Sequence, residues 1–145
     1  MARVYFSKVL NVPPQDAWAI VRDFGGIASW FPFVEQSLLR DGGPQQVGTI
    51  RVNTIFDKTQ IEERLLEISD RDRRIVYDII KADIPTKNYS ATLEIHAVTA
   101  DPQSCFAEWS ADFDVDGDPA SAIEWVRDGI FRVCLEELER VIRAA

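Results

Sequence analysis

One histidine, His96, and two cysteines, Cys105 and Cys134, are the whole supply of imidazole and thiol in 145 residues. A lone histidine excludes zinc centres built from several imidazoles, and it leaves Ser-His-Asp triads and Cys-His pairs without a base. The cysteines stand far from any CxxC spacing, each inside an apolar stretch, and read as reduced core thiols of a cytosolic protein. No apolar run approaches the roughly eighteen residues needed to cross a bilayer. The opening residues Met1 to Lys8 alternate like a strand and lack the apolar core of a signal peptide. Basic residues are also in deficit: 16 Lys plus Arg against 24 Asp plus Glu leave a net charge of -8. Such a surface repels phosphates on average, which argues against nucleic acid and anionic headgroups as partners. Glycine-rich phosphate loops, repeats and low-complexity tracts are missing too. The expectation is a cytoplasmic protein with no nucleic-acid partner, no membrane insertion, no metal and no cofactor.

What remains is 46% hydrophobic and 28% charged, the make-up of one globular domain spanning residues 1–145. Folding at this size buries about 68% of the unfolded chain's surface, enough even for a hollow core. Residues 3–11 read as a first strand ended by Pro13-Pro14, whose fixed φ suits a helix's first turn. Trp18, Ile20, Val21 and Phe24 repeat at helical spacing up to Gly25-Gly26, and a shorter helical turn covers 27–31. Alternating, β-branched segments then predict strands at 34–40, 48–56, 60–69, 73–81, 88–99 and 104–114. Asp118-Pro119 supplies an N-cap and N1 pair for a last helix of up to 27 residues, about 40 Å long. Ile123, Val126, Ile130, Cys134, Leu138 and Val141 form its apolar stripe. The sum is an α+β layout in which a curved seven-stranded antiparallel sheet wraps a long C-terminal helix, with two short helices between strands 1 and 2. That arrangement is a helix grip.

Trp30-Phe-Pro-Phe-Val, the run Ile61 to Asp70, Arg74 with Tyr77, Ile84-Pro-Thr-Lys-Asn-Tyr and Glu108-Trp109 together resemble the polyketide cyclase/dehydrase branch of the START and birch-pollen-allergen superfamily (SRPBCC). The resemblance spans nearly the whole chain. It implies a mostly apolar cavity between the concave sheet and the C-terminal helix. Val126, Ile130 and Cys134 would form the helix wall, and Ile55, Tyr77, Ile79, Tyr89 and Ala91 the sheet wall. By similarity, Arg51, Asn53, Glu63, Tyr77, Tyr89 and Glu108 point inward. Abscisic-acid receptors of the superfamily close their pocket with a gate and a latch. The corresponding loops here, Ile55 to Thr59 and Ala82 to Lys87, keep neither sequence, and Phe31 takes the place of the receptors' carboxylate-binding lysine. A lid of Phe56, Ile84 and Pro85 is expected instead.

Alternation and resemblance disagree on two carboxylates. Cys105, Ala107, Trp109, Ala111 and Phe113 form an apolar face that sends Glu108 to solvent, whereas the resemblance sends it inward. Glu63 shares a face with Leu65 while Leu66 and Ile68 take the other. Asp112-Phe-Asp-Val-Asp-Gly117 matches the first half of a calcium loop, but position twelve is Ile123 and no closing glutamate is present.

Three functions are compatible with these residues. The first is non-enzymatic binding or transport of a small hydrophobic molecule, a lipid, polyketide or aromatic compound. The second is a cyclase or dehydratase with Glu63 or Glu108 as general acid/base and Tyr89 holding an oxyanion. The third is an interaction module exposing Trp30, Phe31, Phe33 and Phe56, a patch that a homodimer would equally hide.

Overall fold

The computed structural model describes all residues, 1–145. Seven strands, β1 (Ala2–Leu10), β2 (Val34–Arg40), β3 (Ile50–Ile55), β4 (Gln60–Ser69), β5 (Arg74–Lys81), β6 (Thr86–Ala97) and β7 (Cys105–Val115), form one antiparallel sheet in the order β1-β7-β6-β5-β4-β3-β2. Each strand from β2 onward pairs with its sequence neighbour, and β1 closes beside β7. The pairing follows from alternation: Ala2, Val4 and Phe6 on β1, Tyr89, Ala91, Leu93 and Ile95 on β6, and Cys105 to Phe113 at every second position of β7 are all buried. Small residues sit where a large neighbour needs room. Ala107 and Ala111 flank Trp109, whose indole stacks on Phe131 of the C-terminal helix at 4.3 Å between ring centres. Val126, Phe131, Cys134, Leu135 and Leu138 complete the helix side of the core.

The helices depart from expectation in two places. Helix α1 covers Pro14–Val21, and Gly25-Gly26 do not end it; they lie in a 3-10 turn, Phe24–Ser29. The glycines are there for space. A Cβ on Gly26 would lie 2.3 Å from Asp23 Oδ2, and one on Gly25 would press on Leu39. The C-terminal helix starts with an α-helical segment, Pro119–Glu124, capped by Asp118 through its bond from the Ala120 N–H. It widens into a π-helical segment, Trp125–Phe131, and ends as α-helix over Arg132–Ala144. Periodicity had predicted one uninterrupted α-helix.

Bulges settle the faces of β4. The β4–β5 register slips between Glu62 and Glu63 and again between Leu65 and Glu67. Glu63 and Leu65 point inward by plain alternation, and the second slip, with the exposed Leu66 as the extra residue of β4, brings Ile68 back against the core. Strand β7 has no slip beside Glu108, so that residue stays on the outer face. The half calcium loop is not a loop: β7 runs to Val115, and Asp112, Asp114 and Asp116 are taken up by Arg3, Asn88 and Lys87.

Candidate functional site

Between the concave face and the π-helical segment lies a cavity of about 280 Å³, roughly nine times the ~30 Å³ that one water occupies in the liquid. Eleven of its fourteen lining residues are hydrophobic, which makes it a site for an apolar guest. Each wall has a local cause. The widened helical turn turns Trp125, Gly129 and Ile130 to the cavity. Gly129 has no room for a side chain without moving Trp125, since a Cβ there would sit 3.3 Å from the indole Cδ1. Ile55, Ile61, Ile79 and Tyr89 come from the sheet, and Phe31, Phe33 and Val34 from the segment leading into β2. A larger groove of about 570 Å³ beside the ends of β5 and β6 is open and lined by Asp78, Lys81, Lys87, Asn88 and Ser90 among others, so it offers an apolar molecule little cover.

One end of the cavity is polar and rigid. Arg51 and Glu63, opposite each other on β3 and β4, form an ion pair at 2.8 Å between Nε and Oε1, with only 5% and 9% of their side chains exposed. Asn53 Nδ2 donates to the same Oε1 at 2.9 Å, and Ser37 Oγ donates to Asn53 Oδ1 at 2.7 Å. The guanidinium also donates to the Phe24 carbonyl at 3.2 Å and lies 4.1 Å from the Phe24 ring centre and 5.0 Å from that of Tyr77. Both hydrogen bonds to Glu63 fall on Oε1, which leaves Oε2 as the remaining acceptor of a residue that lines the cavity. Burial, reinforced by the Glu63 charge, pushes the Tyr77 phenol far above its ordinary range. Tyr89 moves the same way, first through burial and then through its neighbours Tyr77 and Glu63. Both stay neutral hydroxyls at physiological pH.

The residues singled out from the sequence divide into three groups. Asn53, Ile55, Glu63, Tyr77, Ile79, Ile84, Tyr89 and Ile130 line the cavity. Arg51, Ala91, Val126 and Cys134 are buried but stand behind the wall, Arg51 holding Glu63 and the others packed in the core. Phe56 and Pro85 are exposed and do not line the cavity, so of the expected lid only Ile84 reaches the mouth. Glu108 is the clear correction. Its carboxylate bonds to Tyr5 and His96 on the outer face, because β7 alternates without interruption, and it cannot act in the cavity. The expected aromatic patch is reduced: Trp30 is buried against Phe31 and Trp109 and Phe31 lines the cavity, while Phe33 and Phe56 remain exposed. Sequence reasoning left out of the cavity wall Phe31, Phe33, Val34 and Ile61, which lie in or beside turns and strand starts, and Trp125 with Gly129, whose placement depends on the π-helical turn.

Comparison with known proteins agrees with this architecture. The chain is 28% identical to abscisic acid receptor PYL7 of Arabidopsis thaliana over 100 residues, 67% of this chain and 46% of the receptor. It thus spans about half the length of the curated relatives it matches. The solved structure of XoxI from Bacillus cereus is 27% identical and superimposes with a TM-score of 0.87, covering 99% of this chain and 96% of that one. Norcoclaurine synthase of Thalictrum flavum, at 15% identity, a TM-score of 0.74 and 98% and 94% coverage, shares the fold. Residues 1–143 match the family described as polyketide cyclase / dehydrase and lipid transport, and with its helix-grip fold the chain belongs to that family.

Proposed function

We propose that this protein binds a small, mostly apolar molecule carrying one hydrogen-bond donor, held between the sheet and the π-helical segment. The observation that carries the reading is the mostly apolar, partly open cavity, bounded at one end by a carboxylate with a remaining acceptor oxygen. Each 100 Å² of apolar guest surface removed from water contributes about 2.5 kcal/mol, before the cost of immobilising the guest. A donor meeting Glu63 Oε2 adds a charge-assisted hydrogen bond and orients the guest.

A cyclase or dehydratase is the second reading, favoured by the presence of Glu63 and Tyr89 in one cavity. The geometry weighs against it, because Arg51 and Asn53 both engage Glu63 Oε1 and leave only Oε2 to meet a guest. The test is titration with 1-anilinonaphthalene-8-sulfonate as an apolar probe. Ile130→Trp, which fills the cavity, abolishes its fluorescence enhancement while the far-UV spectrum is retained; undiminished enhancement would contradict the proposal.

A further inference from the structure

The outer face of the sheet carries a cluster that the cavity does not use. Glu94 and His96 on β6 and Glu108 on β7 bring one ligand atom each within 4.8 Å of one another. His96 Nε2 stands 3.0 Å from Glu94 Oε2 and 2.8 Å from Glu108 Oε1. One ring nitrogen carries at most one hydrogen, so it cannot make two full hydrogen bonds at once. Glu94 and Glu108 are also directly opposite each other in the β6–β7 register, a placement of like charges that costs stability in a sheet.

The outer oxygen of Glu108 is occupied, and that of Glu94 faces a cation. Tyr5 O–H donates to Glu108 Oε2 at 2.7 Å, and the Arg74 guanidinium lies 3.9 Å from Glu94 Oε1. What remains pointing at a common centre is one oxygen from each glutamate and one imidazole nitrogen. Supporting groups that fix the outer atoms and leave the inner ones convergent are characteristic of metal centres. Tetrahedral bonds of about 2.1 Å separate ligand atoms by about 3.4 Å, so the two nitrogen–oxygen distances of 3.0 and 2.8 Å open by about half an ångström to admit a cation. Tyr5, Glu94 and Glu108 border a recess of about 280 Å³ shared with Arg3, Thr92 and Ser110, which gives further ligands access.

We propose that Glu94, His96 and Glu108 form a binding site for a divalent transition-metal ion on the outer face of the sheet. One imidazole with two carboxylates selects zinc and its late first-row neighbours over magnesium and calcium, which take oxygen ligands. This departs from the expectation of no metal, which rested on the lack of several histidines and of a closed calcium loop; the present site needs a single imidazole and a cross-strand register that composition does not reveal.

Zinc chloride titrated into the chelator-treated full chain by calorimetry tests the assignment. The expected result is one ion per chain with micromolar affinity and a shift of the sole imidazole's NMR signals. His96→Ala and Glu108→Gln each weaken binding at least about tenfold, and Tyr5→Phe, which frees Glu108 Oε2, weakens it about tenfold. Asp114→Asn, in the neighbouring acidic strand end, leaves affinity unchanged, and all variants keep their response to the apolar probe. Saturation only above about 1 mM, or undiminished affinity in His96→Ala, overturns the proposal.

Discussion

Removing Glu63 alone is predicted to be far more damaging than removing Glu63 and Arg51 together. In Glu63→Ala the Arg51 guanidinium stays buried, its side chain 5% exposed, with the Phe24 carbonyl and two aromatic faces as its remaining partners. Losing one member of a buried pair costs about 3–5 kcal/mol. Contact with the Phe24 and Tyr77 rings offsets part of that cost, while Asn53 Nδ2 loses its acceptor, so about 3 kcal/mol is the expected net loss. Against a total stability of 5–15 kcal/mol for an ordinary domain, this is a large fraction. With a urea slope of about 2 kcal/mol per molar, the unfolding midpoint falls by about 1.5 M. Arg51→Met with Glu63→Leu replaces the pair by apolar groups of similar size and is expected to recover most of the loss, since such replacements are often neutral or stabilising. Urea unfolding followed by tryptophan fluorescence, on the wild type, Glu63→Ala and the Arg51→Met/Glu63→Leu variant, measures these losses. A loss below about 1 kcal/mol in Glu63→Ala would mean the pair behaves like an exposed one. A double variant as unstable as the single one would equally refute the reasoning.

Two further outcomes are expected. Burial pushes the Cys134 thiol strongly upward and Cys105 up to about 11, so Ellman's reagent at about pH 8 should label neither in the native protein and both in denaturant; rapid native labelling of Cys134 would show that the core opens to solvent. The carboxyl of Asp70 is held below the usual range, chiefly by Arg22 and then by the Trp18 indole N–H. Because its folded pKa is depressed, the stabilisation is present above the unfolded value near 3.9 and is lost as pH falls through the folded one. The Trp18 indole N–H resonance should follow that transition, and a signal unchanged down to full protonation would refute the contact.

The seven strands and their antiparallel sheet were legible because most strands bury one face, and a period of two leaves little freedom in register. The polar end of the cavity was legible in part: Arg51, Asn53 and Glu63 were named, but only the slip at Leu66 explains how Ile68 turns inward along with Glu63 and Leu65. The same alternation read on β7 without a slip gives Glu108 its outer position, where resemblance had sent it inward. Trp125 and Gly129 were not placed in the cavity wall because a π-helical turn has no composition of its own, and their spacing fits an α-helix equally well. The Trp30-Phe-Pro-Phe segment looked like a surface patch because nothing in its local pattern says that Trp30 packs on Trp109.

Everything functional rests on the cavity admitting a guest. Crystals pressurised with xenon, which enters dry apolar cavities, test this most directly. The account predicts either xenon or a retained organic guest in the volume bounded by Phe31, Ile55, Ile79, Tyr89, Trp125 and Ile130. Density showing those side chains collapsed onto one another, with neither xenon nor guest between them, would contradict it.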